Sequence, residues 1–214
     1  MTTPIEKRTG RRSAAAVFLT LLICLTAALA VGLLDGCASA PAQRFYTLGN
    51  QAPAAGQPLP TGVAVKIAAL TIPELVDRPQ IVLRTTSNRV AVLDNQRWAE
   101  SLKTGIVRVL ATDLAAQLGT PVIGTPADRA GGKGELLVSI DITRFDSALD
   151  GMVQIDARWT VRGSTESAAT SAVASAQEAS GATLDEVVAA HDRALGRIAA
   201  QIAATVRQVA GQGR

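Results

Sequence analysis

Leu136-Leu137-Val138-Ser139-Ile140-Asp141-Ile142 and, after an Asp150-Gly151 turn, Val153-Gln154-Ile155-Asp156-Ala157-Arg158-Trp159-Thr160-Val161 alternate apolar with polar residues. In an extended chain successive side chains point to opposite faces, so period two marks a strand with one face in a core. Leu136, Val138, Ile140 and Ile142 share one face of the first strand, and Val153, Ile155, Ala157, Trp159 and Val161 share one face of the second. Gln154, Asp156, Arg158, Thr160 and Arg162 stand opposite. The sheet is therefore covered on one side and wet on the other, and the short connection makes the pair antiparallel.

Downstream, the alanine of residues 164–180 favours helix, whereas its Ser and Thr and its place after two meander strands favour a third antiparallel strand. The strand is the reading adopted. Thr183 and Glu186 then form a capping-box pattern. Leu184, Val188, His191, Leu195, Ile198, Ile202, Val206 and Val209 form one stripe behind it, which predicts a long amphipathic helix.

Upstream, residues 63–70 read as a strand, with Val63, Val65 and Ile67 on one side and Lys66 on the other. Residues 80–85 and 89–93 read as a hairpin turning at Ser87-Asn88. A helix capped by Asp94 or Asn95 is expected to run to Leu118, because Trp98, Leu102, Ile106, Leu110 and Leu114 recur every fourth residue and Gly119 closes the run. Glu100, Lys103, Arg108 and Asp113 form its outer face. Residues 44–48 suggest a short strand, and residues 49–62, with Pro53, Pro58 and Pro60, an exposed loop or spacer.

The amino-terminal 40 residues have a different character. Met1 to Ser13 is polar and basic, Ala14 to Leu34 is a run of mostly apolar residues without a charge, and Leu34-Asp35-Gly36-Cys37 ends it. This is the layout of a bacterial lipoprotein signal, whose cysteine thiol accepts a diacylglycerol; Asp35 is an unusual occupant of that motif. An uncleaved inner-membrane anchor is the other reading, since about 20 apolar residues suffice to cross a bilayer. Ala38, in place of Asp, directs a lipoprotein to the outer membrane under the general sorting rule.

Composition narrows the function. Three Phe, two Trp and one Tyr leave an aliphatic core and argue against base-stacking platforms. The net charge of +3 divides into +2 before Cys37 and +1 from Cys37 onward, so the exported part has no electrostatic footprint for nucleic acid. Cys24 leaves with the signal, and Cys37 alone supports neither an internal disulfide nor a thiolate zinc cluster. No nucleophile elbow, zinc-protease helix, phosphate loop or dinucleotide fingerprint is present, so no catalytic residues, cofactor or metal are expected. His191, the only histidine, lies in an apolar stripe and reads as a packing residue. Asp141, Asp146, Asp150 and Asp156 lack the spacing of a calcium loop and read as solvated strand and turn residues.

Pro73-Glu74-Leu75-Val76-Asp77-Arg78-Pro79-Gln80-Ile81-Val82-Leu83-Arg84 and Arg97-Trp98-Ala99-Glu100-Ser101-Leu102, with Tyr46-Thr47-Leu48 before them, resemble the signature of the ABC-type transport auxiliary lipoproteins, the PqiC (YmbA-like) family. Their order covers the chain from about Phe45 onward; Ser101 stands where the family often has Pro. On physical grounds, Asp77-Arg78-Pro79 can be a self-contained turn with its charges paired, and Arg97 and Trp98 a helix anchor with the guanidinium on a carboxylate. Leu75, Asp77, Arg78, Pro79, Arg97 and Trp98 serve equally as a partner surface.

The expected fold is α/β: a single domain with a mixed, mainly antiparallel sheet packed against two long helices. Residues 1–36 are the expected signal, 37–62 the lipidated terminus and spacer, and 63–214 the domain. The resemblance implies an outer-membrane-anchored periplasmic subunit that docks an MCE-domain protein and its ABC permease in lipid transport and supports envelope integrity. Membrane lipid is then met through Cys37, and homo-oligomers are compatible with the picture. A lipid carrier or outer-membrane assembly lipoprotein with an apolar cavity is the alternative; a hydrolase would need a site the sequence does not show.

Overall fold

The computed structural model describes residues 16–22, 42–49, 56–123, 135–163 and 169–212. The chain divides into two compact units, Met1–Ala42 and Gln43–Arg214. In the first, residues 16–22 form a helical segment, α1. Leu34, Asp35, Gly36 and Cys37 lie outside the described residues, as does most of the apolar run. Among the described residues no helix is long and apolar enough to cross a membrane.

The second unit is an α/β domain. Its strands are β1 (Arg44–Tyr46), β2 (Ala64–Thr71), β3 (Gln80–Thr86), β4 (Arg89–Trp98), β5 (Val122–Ile123), β6 (Glu135–Asp146), β7 (Met152–Gly163) and β8 (Ala169–Ala179), with helices α2 (Leu102–Leu118) and α3 (Leu184–Gln212). The strands form two sheets rather than one: β1-β4-β3 and β5-β2-β6-β7-β8. The meander β6-β7-β8 is antiparallel, as its alternation requires, and residues 169–179 are its third strand. The β3-β4 hairpin is antiparallel too, whereas β2 lies parallel to both β5 and β6, and β1 parallel to β4.

α2 and α3 pack on each other, with α2 against β2 and β5 and α3 against β7 and β8. The core between helices and sheet is aliphatic: Ile67, Ile106, Leu114, Ile142, Ile155 and Ile198 are fully buried. Trp159 is enclosed there, and its indole N–H donates to Thr205 Oγ1 at 3.1 Å, so its single polar atom is satisfied. The capping box at α3 forms as expected: Glu186 N–H donates to Thr183 Oγ1 at 3.3 Å and Thr183 N–H to Glu186 Oε2 at 3.0 Å.

Two expectations are corrected. α2 starts at Leu102 and not at Asp94 or Asn95, because residues 94–98 continue β4, whose backbone is paired by β3 on one side and β1 on the other. Ser101 is the N-cap, accepting Thr104 N–H at 3.1 Å. Trp98 therefore matches the four-residue spacing of α2 without belonging to it. Asp113 is fully buried instead of lying on an outer face, since α2 is covered by α3 as well as by the sheet.

The proline-rich stretch 56–60 carries neither strand nor helix, as its composition requires. It is nonetheless held: Leu59 N–H donates to Leu118 O at 2.8 Å, and Arg207 donates to Gln57 O at 3.1 Å. Gly119 ends α2 at φ 59°, and a Cβ there would sit 3.0 Å from Pro58, so both conformation and space call for glycine.

Candidate functional site

The three separated motif segments meet on the small sheet. β1 carries Tyr46, β3 follows the Pro73–Pro79 turn, and β4 ends in Arg97-Trp98. Backbone bonds close the junction: Trp98 N–H donates to Pro79 O at 2.8 Å, and Ala99 N–H to Tyr46 O at 2.8 Å. Tyr46 Oη donates to Gln96 Oε1 at 2.9 Å.

The turn is built from its own backbone. Val76 and Asp77 N–H donate to Pro73 O at 3.0 and 3.2 Å, and Arg78 N–H donates to Val76 O at 2.8 Å. This folding sends Val76 into the core and leaves Leu75, Asp77 and Pro79 exposed. No ion pair joins Asp77 to Arg78 among the described residues, contrary to the paired-charge expectation. Arg97 rests on a backbone oxygen, not a carboxylate: its Nε donates to Asp94 O at 3.2 Å.

Between turn and helix lies a notch of about 350 Å³, lined by Asp77, Arg78, Pro79 and Trp98 on one side and by Ala99 to Leu102 on the other. Four of the six expected surface residues thus come together. Leu75 lies on the same turn, and neither it nor Arg97 lines the notch. Glu100 and Ser101 complete the lining. Glu100 stands inside the Arg-Trp-Ala-Glu motif, which was the signal for it. Among the described residues, the buried Arg78 Nε has no hydrogen-bond partner.

The notch has a floor of packed rings. Trp98 is buried and meets His191 edge-on, with centroids 6.4 Å apart, and His191 stacks on Phe145 at 4.3 Å. A backbone carbonyl only accepts, so His191 Nδ1 carries the proton shared with Val187 O at 2.9 Å, and Nε2 accepts from Ser147 Oγ at 3.1 Å. Burial pushes the imidazole pKa down to about 4, against the opposing pull of the Val187 bond. His191 is neutral and enclosed near neutral pH and packs rather than reacts. Beside the notch Glu100 pairs with Arg108 at 2.7 Å, and Arg108 also donates to Leu48 O at 2.8 Å, tying α2 to the chain after β1.

Elsewhere charged side chains are used in pairs. Asp141 accepts from Arg158 at 2.7 Å and from Thr71; Asp146 pairs with Arg84 at 2.8 Å and Arg144 at 2.9 Å; Asp156 accepts from Ser175 at 2.6 Å. Asp141 and Asp156 tie neighbouring strands of the larger sheet, and Asp146 ties β6 to β3 of the smaller one, at a small gain for each exposed pair. Asp150 occupies the left-handed turn position at φ 46°. Among the described residues no group of three or more His, Cys, Asp or Glu could hold a metal ion. Between α2 and α3, Asp113 and Asp192 have pKa values raised to about 6, in both cases chiefly by burial; for Asp113 the Asp192 charge adds to it, while Gly49 N–H, at 2.9 Å from Asp192, opposes it there.

Fold and site together define an α/β domain with a notched edge set on an aliphatic core. The chain belongs to the family of ABC-type transport auxiliary lipoprotein components, whose family model matches residues 46–203. That family is one of transport accessories. Two solved structures share the fold. One, an uncharacterized protein, is 18% identical with a TM-score of 0.62, covering 77% of this chain and 99% of its own. The other, protein XCC0632 from Xanthomonas campestris, of the DUF330 family, is 17% identical with a TM-score of 0.57, covering 79% and 97%. No curated protein matches the chain.

Proposed function

We propose that this protein is an outer-membrane-anchored periplasmic subunit of an MCE/ABC-type intermembrane lipid transport system, held by a lipid on Cys37. In this reading residues 1–36 are removed as a signal, the lipidated Cys37 tethers the compact unit Gln43–Arg214, and that unit docks an MCE-domain protein. The observation that carries it is the family match over residues 46–203, which includes every residue of the notch. The notch supplies what a docking surface needs: a concavity beside exposed Leu75, a guanidinium whose Nε has no partner among the described residues, and a floor of packed, buried rings. It does no bond-making chemistry. The lipid-carrier alternative has one observation in its favour, an apolar groove of about 690 Å³ between β2 and α2.

The test is expression of the full chain in a diderm bacterium with labelled palmitate, followed by membrane fractionation and affinity purification. The proposal expects label on the wild type, none on Cys37→Ala, outer-membrane recovery, and an MCE-domain protein in the eluate. Unchanged labelling of Cys37→Ala sinks the anchor. Recovery of stoichiometric phospholipid without an MCE protein favours the carrier.

A further inference from the structure

The larger sheet ends in β8. From Ala169 to Ala179 this strand is paired by β7 on one side, and among the described residues by no strand on the other. Its side chains on the wet face are uncovered: Ala169, Ser171, Ser175 and Gln177 are exposed, and Val173 is 77% exposed, more than any other large apolar residue described in the domain.

The pairing with β7 decides which backbone groups point outward. Ser180 N–H donates to Gly151 O at 3.0 Å, and in an antiparallel ladder alternate residues bond the same neighbour. The even-numbered residues of β8 therefore bond β7, and the odd-numbered ones present N–H and C=O to the outside. Arg193 takes one of these outward groups, donating to Ala179 O at 2.8 Å. From Ala169 to Gln177 the outward groups have no partner among the described residues. Proteins ordinarily blunt such an edge with a lysine, a proline, a bulge or an inward-turned charge. Ala169-Thr170-Ser171-Ala172-Val173-Ala174-Ser175-Ala176-Gln177 holds no lysine, proline or charge, and its register with β7 runs without a shift.

The side chains say what fits there. Ser171-Ala172-Val173-Ala174-Ser175 is the same in both directions. We propose that β8 is a two-fold contact between copies of this chain, antiparallel and centred on Val173, which joins their larger sheets into one. The axis sets Val173 against Val173 of the second copy, Ser171 against Ser175 and alanine against alanine, and matches Ala169 with Gln177, the two ends of the unpartnered stretch. A peptide of another protein supplies the same backbone bonds, but a second copy also matches the symmetry of the side chains. Charge does not oppose the contact: Glu178 holds both Arg193 and Arg197, and Asp141 holds Arg158, the β7 neighbour of Val173. No residue of the notch takes part, so the contact stands whether or not the transport reading does.

Cross-linking of the full chain in detergent tests it, with the wild type as the background set by its own Cys24 and Cys37. Under mild oxidation Val173→Cys should link two chains above that background, because facing residues of an antiparallel pair lie within disulfide reach. Ser171→Cys alone should not, since Ser175 is its neighbour in the second copy, whereas Ser171→Cys combined with Ser175→Cys should. A single strand contact is small beside a stable interface, so light scattering should show dimers giving way to monomers on dilution. Val173→Lys sets like charges face to face and should raise that midpoint about tenfold or more. Four results overturn the proposal: no link above background for Val173→Cys; equal linking of Val173→Cys and Ser171→Cys; a Val173→Lys dimer as tight as wild type; or, in cells, a Val173→Cys link to a different protein and none between copies.

Discussion

His191 is the residue on which the small sheet rests, and its burial sets a pH dependence. Its folded pKa of about 4 lies below the ordinary 6.5, so the unfolded chain takes the proton first. The stability this gives is complete above about pH 6.5 and is lost as pH falls toward 4, roughly 3 kcal/mol in all. Asp113 and Asp192 act the other way. With folded values of about 6 against 3.8, the folded chain protonates first, and acidification through that window stabilises it. The opposing trends overlap, so a flattened profile is expected for the wild type. In urea unfolding, His191→Gln should become more stable between about pH 6 and pH 4, and a profile unchanged from wild type would refute the assignment. Asp113→Asn should gain about 1 kcal/mol near pH 7, because both carboxylate oxygens of Asp113 are buried without a hydrogen-bond partner among the described residues. Loss of stability near neutral pH would show a partner that this account lacks. His191 was legible as packing from its place in the α3 stripe. Asp113 was not, because periodicity reveals the one face that meets the sheet and not the second that meets another helix.

At the scale of elements, strands with their own alternation were readable and pairings between distant segments were not. β6 and β7 declare themselves by period two, and β8 by following them in a meander. The parallel neighbours of β2, and the division into two sheets, depend on crossover connections that leave no periodic mark. The start of α2 was misread for a related reason: Trp98 and Leu102 are four apart, but strand pairing holds the first and Ser101 starts the helix at the second. Ser101→Ala should therefore cost about 1 kcal/mol in chemical denaturation, whereas Asn95→Ala, inside β4, should show no capping loss. A larger loss at Asn95 than at Ser101 would return the helix start to the earlier position.

For the whole molecule, the motif segments predicted from sequence converge although 12 and 24 residues separate them, because β1, the turn before β3 and the end of β4 share one small sheet. What the motif did not disclose is what pins that sheet: Trp98 packs on His191 of α3, a contact between segments 93 residues apart in number. In the proposed reading the domain is tethered through Cys37, and the notch is where it meets its partner. The most direct measurement is affinity capture of the MCE-domain protein by the full chain carrying Arg78→Glu, with thermal unfolding measured on the same preparation. Arg78 is half-exposed and forms no ion pair among the described residues, so its reversal should leave the melting temperature within about 2 °C of wild type. The account predicts loss of capture at unchanged melting temperature. Capture at the wild-type level, or a loss that follows unfolding, would contradict it.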